Sequence, residues 1–192
     1  HPKLLIEPFA GGATVGLSAA FENLTEHVLL VEKDDQVASV WQTIINDQDG
    51  AEWLANRIMN FELTSVTAQA LLQSTAQTAR EQAFQTIVQN RINHGGILAP
   101  GAGVIKNGEN GKGIRSRWYP KTLAHRIMAI GRVRQRLSFI QGDAFAIMQH
   151  HCSDERVVFF IDPPYTASTK KAGRRLYTHH ELDHTRLFTL TA

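Results

Sequence analysis

Short apolar runs, each ending at a polar residue or a glycine, divide the chain into predicted strands and helices. The run Val157–Ile161 contains only β-branched and aromatic residues, which favours a strand buried on both faces, as in a parallel sheet. Asp162 ends the run, and Pro163 and Pro164 follow, neither of which can extend a ladder or sit inside a helix. We therefore predict a stiff, extended corner that presents Asp162 and Tyr165 at the carboxyl edge of the sheet, where open α/β folds bind ligands.

The start of the chain predicts a strand, a glycine turn, a helix and a second strand. Leu4–Ile6 and Val28–Val31 are apolar runs of strand length, and Ala13–Glu22 between them has helical spacing. The small residues within Glu7–Thr14 permit a tight turn whose backbone N–H groups are available to a ligand. Glu32 follows the second strand, a position from which an acid reaches ribose hydroxyls in nucleoside-binding folds.

The same reasoning predicts an α/β protein with its acids at one sheet edge. The remaining predicted elements are helices over 36–93, a glycine-rich loop over 94–113, a helix over Pro120–Leu137, a strand over Ser138–Gln141 and a helix over Ala144–His150. Glu32, Asp143 and Asp162 each follow an apolar strand directly or by one residue. Because parallel strands end at the same edge, these acids and the glycine turn are predicted to lie together.

Composition indicates a globular protein of the reducing cytoplasm. The chain has 192 residues, of which 43% are hydrophobic, and its single cysteine, Cys152, excludes an intrachain disulfide. It contains neither a signal peptide nor an apolar run long enough to cross a membrane, so we expect no membrane partner. The chain begins without methionine and ends inside a predicted helix, so we expect it to be a fragment of a longer protein.

The formal net charge of +2 is distributed unevenly. Residues 91–136 contain ten Lys or Arg and one acid, Glu109, so this segment carries +9 and the remainder −7. A basic block of this size suggests a polyanionic partner. The alternative is a solvated helix face next to an irregular loop.

Each of these motifs has an ordinary structural interpretation when it is taken alone. The glycine turn has neither the spacing of the G-x-G-x-x-G fingerprint nor the lysine of a P-loop, and Glu32 and Asp143 are in positions typical of solvated acids or helix caps. The sequence His180–His184 matches the zinc-protease pattern H-E-x-x-H. We disfavour a zinc site, because Thr178 and Glu181 form a predicted capping box at a helix start and no third ligand is evident nearby.

Taken together, the motifs resemble those of a known family. Asp-Pro-Pro-Tyr at 162–165 resembles motif IV of the amino-methyltransferases that act on DNA, and residues 7–13 look like their S-adenosylmethionine loop. The order of parts is similar to that of the adenine-specific class related to the Dam methyltransferases, as are residues 90–97 and 117–120. The resemblance covers essentially the whole chain. It implies a Rossmann-like S-adenosylmethionine-dependent methyltransferase fold, incomplete here, with 1–46 and 138–192 forming the catalytic domain and 47–137 a helical and loop insertion for target recognition.

The resemblance also implies roles for individual residues. Asp162 would sit between cofactor and target base, Glu32 would bind ribose and Asp143 adenine. The catalytic group it implies is Asp162, Pro163, Pro164 and Tyr165. The residues implied in cofactor binding are Glu7, Pro8, Phe9, Ala10, Gly11, Gly12, Ala13, Glu32, Asp143 and Asp162. The chain departs from the family at Ala13, where the loop often has glycine, and it lacks the family's lysine-bearing segment before the first strand and the strands after the fourth.

The basic block supplies the implied DNA contacts. The candidates are Asn93, Lys106, Lys112, Arg115, Arg117 and Lys121. We expect Arg126, Arg132, Arg134 and Arg136 to form the solvated face of the following helix. The predicted function is methyl transfer from S-adenosylmethionine to the N6 amine of adenine in double-stranded DNA by a monomer, with a cognate restriction endonuclease as an expected partner. The alternatives are a cytosine-N4 methyltransferase and a catalytically inactive DNA-binding fragment.

Overall fold

A parallel sheet of four strands lies at the centre of the computed structural model, which describes residues 1–108, 111–164 and 183–191. All four strands coincide with predicted apolar runs, and they follow the spatial order β3-β2-β1-β4. Their bounds are Leu4–Glu7 for β1, His27–Glu32 for β2, Leu137–Gln141 for β3 and Val157–Phe159 for β4.

Helices make up most of the remaining described chain. The helix bounds are Thr14–Phe21 for α1, Asp35–Trp41 for α2, Gly50–Met59 for α3, Ser65–Gln73 for α4, Ala79–Ile92 for α5, Pro120–Arg132 for α6, Ala144–His151 for α7 and His184–Thr191 for α8. A π-helical turn, Gln42–Asn46, continues directly from α2. None of these helices is long and apolar enough to cross a membrane.

The predicted helix from Pro120 to Leu137 is wrong at its C-terminal end. Helix α6 stops at Arg132, a short 3₁₀ turn follows, and Leu137 already belongs to β3. Arg134 and Arg136 therefore do not lie on the helix face. Arg134 donates to the carbonyls of Asp47 and Gln48. Arg136 instead donates to the carbonyls of Ala20 and Thr25 and to the side chain of Asn23. Both arginines link separate segments of the chain by donating to backbone carbonyls at helix and loop ends, which have no partner within their own element.

Helices cover both faces of the sheet because its strands alternate in the side chains they present. On one face, Leu5, Val28 and Leu30 belong to the main core, which also contains side chains of α1 to α6. On the other face, Ile6, Leu29 and Val31 form a smaller cluster against Ile147 of α7. The segment 47–137 shares the main core with the sheet. Whether it acts as a separate recognition domain stays a prediction.

The path of the chain places a topological switch point beside β1. After β1 the chain moves outward to β2 and then to β3, each parallel to its neighbour. It then returns across α7 to pair β4 with the opposite edge of β1. In open parallel sheets, the crevice at such a reversal, outside the carboxyl ends of the strands, is where ligands bind. In this chain that crevice lies between the loop after β1 and the corner after β4.

The prediction that Val157–Ile161 forms a strand buried on both faces is also wrong. The strand has three residues, and its side chains alternate in exposure: Val157 and Phe159 are half-buried, whereas 46% of Val158 is exposed. Phe159 and Ile161 pack against the cluster of α7 and α8. β4 lies at the edge of the sheet, next to β1. The helices that cover β1, β2 and β3 leave Val158 and Phe160 of this edge exposed within the described part of the chain.

Helix α1 lies unusually close to the sheet at Gly16. A Cβ built there would lie 2.7 Å from Oε2 of Glu7, 2.8 Å from Cδ2 of Leu30 and 3.0 Å from Cγ1 of Val28. All three neighbours are buried, so none can move away freely. A glycine at this position permits the close packing of α1 on β1 and β2.

We predict that Gly16→Ala destabilises the protein. The gain in helix propensity, about 1 kcal/mol, is smaller than the cost of overpacking, about 1–3 kcal/mol, combined with the loss of the hydrogen bond to Glu7. Urea unfolding should show a net loss of about 1–2 kcal/mol. Gly142→Ala is the matched control, because its Cβ would meet only Ile140 at an ordinary 3.5 Å. Equal stability of the two variants would contradict the close approach at Gly16.

Candidate active site

The loop after β1 crosses the carboxyl edge of the sheet and is held against β2. The amide of Ala10 donates to the carbonyl of Val31 at 2.9 Å, and the amide of Ala13 donates to the carbonyl of Ala10 at 2.6 Å. Ala13 precedes α1 in the left-handed conformation, with φ 51° and ψ 36°. This conformation explains why the related loops often have glycine at this position, since an L-residue is strained there by about 1–2 kcal/mol.

Glu32, at the end of β2, contacts this loop directly. Its Oε2 accepts the amide of Gly11 at 2.9 Å, and its Oε1 accepts the amides of Lys33 and Asp34 at 2.8 and 2.9 Å. A carboxylate can accept about four hydrogen bonds, so Oε2 keeps capacity for one further donor such as a hydroxyl. Glu32 is therefore both a structural support of the glycine loop and a candidate ligand-binding group.

Asp143 lies at the same edge, after β3, and caps α7. Its Oδ1 accepts the amide of Ala146 at 3.0 Å. The helix-cap interpretation is thus correct for one oxygen, as expected at a helix start. The side chain is exposed, and Oδ2 has no hydrogen-bond partner among the described residues, so it is open to a ligand.

Asp162 and the two prolines form the other side of the crevice. The amide of Phe160 donates to the carbonyl of Ile6 at 2.9 Å, which fixes the chain beside β1 just before the corner. Asp162 is exposed, and its carboxylate makes no hydrogen bond to any described residue, while Pro163 and Pro164 are half-buried. The structure therefore brings the Asp162 carboxylate to the switch point. Tyr165, the fourth predicted catalytic residue, lies outside the described residues, as do His180 and Glu181 of the H-E-x-x-H pattern.

Glu7 is a buried acid facing this crevice, with 4% of its surface exposed. Burial raises its pKa from 4.5 to about 7, the amide of Gly16 partly opposes the rise by bonding the carboxylate, and the charge of Asp162 adds to it. The Gly16 amide lies 2.7 Å from Oε2. Two carboxyl groups at the ends of adjacent strands thus interact electrostatically at the switch point.

The predicted DNA-contacting residues fall into two groups. Lys106, Lys112 and Arg115 are exposed and line an open groove of about 640 Å³, which also contains Thr64 and Ser65 at the start of α4. Ion pairs within the described ranges involve only Arg80 and Arg156, so these three cations have no acidic partner there. Lys121, at the start of α6, is exposed as well.

Asn93 and Arg117 both make hydrogen bonds within the insertion, and their contact with DNA stays a prediction. Asn93 is buried and its side-chain amide donates to the carbonyl of Ile97 at 2.7 Å. Arg117 donates to the carbonyls of Asn90 and Asn93 at 3.2 and 3.0 Å. Both side chains therefore order the start of the glycine-rich segment, a use that their polar character alone does not reveal.

Arg91 forms a cluster of positive charge with two other arginines. Burial, together with the charges of Arg117 and Arg126, lowers the pKa of the Arg91 guanidinium. Its Nε is buried without a hydrogen-bond partner in the described structure. No described acid forms an ion pair with any of the three. Such uncompensated positive charge is typical of a site for an anion.

The comparison with known families agrees with this geometry. A family model described as D12 class N6 adenine-specific DNA methyltransferase matches residues 2–191. The chain belongs to this family. Its function is therefore methylation of the N6 amine of adenine in DNA, membership implies S-adenosylmethionine as the methyl donor, and the cytosine-N4 alternative is not favoured. The chain has no significant match among curated proteins.

Two contacts of the methyltransferase were not anticipated from its sequence. The indole N–H of Trp41 donates to the carbonyl of Gly11 at 2.9 Å, whereas in the sequence Trp41 belongs to an apolar helical stripe with Val37, Val40 and Ile44. Gly16 belongs to the helix, and its amide bonds Glu7 nine residues earlier. Neither contact has a signal in local spacing, because each joins elements that meet only in the folded sheet.

We predict a pH dependence of stability that originates at Glu7. Its raised pKa means that the native state binds more protons than the unfolded state between pH 4.5 and about 7, so the free energy of unfolding falls as pH rises through this window. Glu7→Gln removes the ionisation and keeps an oxygen for the Gly16 amide. The variant should gain about 3 kcal/mol relative to wild type between pH 4.5 and pH 8.

Urea unfolding at pH 4.5, 6, 7 and 8 measures this difference. Glu22→Gln, at an exposed position after α1, is the control and should follow the wild-type profile. A constant difference between Glu7→Gln and wild type over the whole range would show that Glu7 ionises normally.

Proposed function

We propose that this methyltransferase binds S-adenosylmethionine along the loop Glu7–Ala13 and transfers its methyl group to an adenine flipped out of double-stranded DNA. The observation that carries the proposal is the arrangement at the switch point. There an exposed Asp162 carboxylate, free of partners in the described structure, lies beside the glycine loop and near Glu7. The loop, Glu32 and Asp143 then surround the space that a nucleoside cofactor needs at a sheet edge.

The chemical character of these residues fits the cofactor. The Cα atoms of Gly11 and Gly12 face open space, with nothing within 4 Å of a Cβ built on either residue. Glu32 can accept one further hydrogen bond from a ribose hydroxyl, and Asp143 can accept one from the adenine amine. The carboxyl groups of Glu7 and Asp162 favour a cation in the crevice. When bound, S-adenosylmethionine supplies a methyl group activated by a positively charged sulfur.

The residues at the corner act on the target amine. The exocyclic nitrogen of adenine is a poor nucleophile because its lone pair is delocalised into the ring. The Asp162 carboxylate and the Pro163 carbonyl, which faces no competing N–H from Pro164, provide two acceptors for its two N–H bonds. Holding both bonds favours a pyramidal nitrogen whose lone pair points away from the acceptors, so positioning and electrostatics supply the acceleration. Tyr165 would stack on the flipped base.

The cations of the insertion would bind the DNA backbone. The exposed Lys106, Lys112 and Arg115 line one groove, and the partly buried cluster of Arg91 and Arg117 with the exposed Arg126 adds a second concentration of positive charge. Phosphate contacts of this kind position a protein on the duplex without reading its sequence. A cognate restriction endonuclease remains a proposed partner.

We predict that Asp162→Ala abolishes methyl transfer and leaves DNA affinity within about twofold, because the carboxylate acts on the amine and not on phosphates. Full-length protein would be incubated with DNA and labelled S-adenosylmethionine, and the nucleosides would be separated after digestion. Wild type should yield N6-methyladenine, and the variant at least about 100-fold less. Glu155→Ala, an exposed substitution in the turn before β4, should retain activity.

Three outcomes would overturn parts of this proposal. N4-methylcytosine in the digest would contradict the adenine specificity. Absence of transfer by wild type would favour a DNA-binding protein without activity. Full activity of Asp162→Ala would remove this carboxylate from the reaction.

We predict that combined substitution of Lys106, Lys112 and Arg115 by alanine weakens DNA binding equally for all sequences. Loss of three phosphate contacts should reduce the slope of log K against log salt concentration by about 2.7. Binding titrations at several salt concentrations, with two unrelated duplexes, measure this slope. Lys3→Ala is the control, because exposed Lys3 precedes β1 at the opposite edge of the sheet. An unchanged slope in the triple variant would show that the groove does not contact DNA.

A further inference from the structure

The peptide groups on both sides of Gly11 are held by residues from other elements. Its amide donates to Oε2 of Glu32 at 2.9 Å, and its carbonyl accepts the indole N–H of Trp41 at 2.9 Å. Gly11 itself has a φ of +46°, a conformation that favours glycine. The glycine loop is thus fixed at its tip by one hydrogen bond on each side of a single residue.

Gly12, the next residue, has the opposite character. Its φ lies outside the left-handed region and nothing lies within 4 Å of a Cβ built on it, so neither backbone conformation nor internal packing requires a glycine there. Its amide has no hydrogen-bond partner within the described ranges. An exposed backbone N–H beside an open Cα is suited to close approach by a ligand.

Trp41 is a core residue whose indole N–H contacts this loop. It is the last residue of α2, directly before the π-helical turn Gln42–Asn46, and only 6% of its surface is exposed. Its ring packs in the main core, where an apolar side chain would suffice. The N–H is the single polar group of the indole, and its partner is the Gly11 carbonyl.

Glu32 is itself held before any ligand arrives. The amides of Lys33 and Asp34 bond its Oε1, so the carboxylate cannot turn away from Gly11 without losing both. Trp41 on one side and Glu32 on the other therefore set the rotation of the two peptide planes at Gly11. That rotation decides where the Gly12 amide points.

We propose that Trp41 is a positioning residue of the cofactor site: its indole N–H holds the Gly11 carbonyl so that the Gly12 amide stays directed at the cofactor. This inference rests on the proposed function, in which the loop binds S-adenosylmethionine. A loop ordered in advance loses less conformational freedom on binding, so the clamp raises affinity without touching the ligand. Trp41 acts through Gly11 and Gly12 and contacts no reacting atom.

The test measures binding of S-adenosylhomocysteine by calorimetry, without DNA, to full-length protein and three variants. Trp41→Phe removes the donor and keeps an aromatic ring, and its dissociation constant should rise about 5- to 10-fold. Trp118→Phe is the matched control, because Trp118 is also in the main core, is 9% exposed and makes no indole hydrogen bond in the described structure. Its affinity should stay within about twofold of wild type, although both substitutions remove a similar amount of buried surface.

Gly12→Ala separates this inference from the proposed function. Because its Cβ meets no protein atom, the variant should be at least as stable as wild type. The same Cβ would occupy the space of the approaching ligand, so S-adenosylhomocysteine should bind at least about 10-fold more weakly. Wild-type affinity in Gly12→Ala would mean that the loop is not the cofactor site, and both proposals would fail. Weak binding by Gly12→Ala together with wild-type binding by Trp41→Phe would overturn the clamp alone.

A spectroscopic measurement on wild type covers the case in which Trp41→Phe fails to fold. The indole N–H resonances of Trp41, Trp53 and Trp118 would be followed by nuclear magnetic resonance during titration with S-adenosylhomocysteine. If a Trp41→Tyr or Trp41→Phe variant folds, the resonance that is missing from its spectrum belongs to Trp41. If neither folds, Trp53→Phe and Trp118→Phe identify the other two resonances, and the remaining one is assigned to Trp41. Because the bond to Gly11 is made in advance, the Trp41 N–H should exchange slowly with solvent before ligand is added and at saturation alike, and rapid exchange in the ligand-free protein would overturn the proposal.

Discussion

The arrangement of the site depends on the pairing of β1 with a strand on each edge. Leu4, Leu5 and Ile6 pair with β2 on one side and with β4 on the other, so the chain must reverse its direction of travel at this strand. The loop after β1 and the corner after β4 consequently leave the sheet side by side. Asp162 and the glycine loop meet because of this ladder, although more than 140 residues separate them in the sequence. A parallel sheet without the reversal would leave the two motifs apart.

The uneven charge of the chain follows the same division. The acids gather at the sheet edge, where Glu7 and Asp162 interact in a crevice with no described cation paired to either. The cations gather in residues 91–136, which carry +9. A methyl donor with a positive sulfur and a polyanionic DNA make opposite demands on a protein. Under the proposed function, the acidic crevice would attract the methyl donor and the basic segment would attract DNA. The burial of Glu7 raises its pKa and so limits the negative charge that DNA would meet near neutral pH.

Sequence reasoning succeeded where the signal is local or follows from strand direction. The strands, the glycine turn and the common edge of Glu32, Asp143 and Asp162 were predictable, because apolar runs mark strands and parallel strands share an edge. It did not anticipate contacts that only the folded chain reveals. Asn93 has the polar side chain of a DNA-contacting amide, and in the structure it is buried and donates to the carbonyl of Ile97.

The same limit explains the other differences. Val157–Ile161 has the composition of a central strand, but exposure depends on which helices reach a strand, and composition does not encode that. The partner of the Trp41 indole is thirty residues away in sequence, so an apolar stripe was all that its spacing could indicate. Ala13 shows the reverse case. Its departure from glycine was visible in the sequence, and the left-handed backbone supplies the physical reason why that departure matters.

Glu32 both holds the glycine loop and offers an acceptor to a ligand, whereas Trp41 only holds the loop. Glu32 offers a ligand acceptor and also bonds three backbone amides, so its removal would disturb the loop and the binding group together. A loss of affinity in a Glu32 variant could therefore not be attributed to either role. Trp41 bonds the same glycine through its carbonyl, and its side chain is buried in the main core. Under the proposed clamp, a change at Trp41 affects the binding site only through the loop, so once its effect on core packing is matched by the Trp118 control, this residue can report how much of the affinity comes from preorganisation.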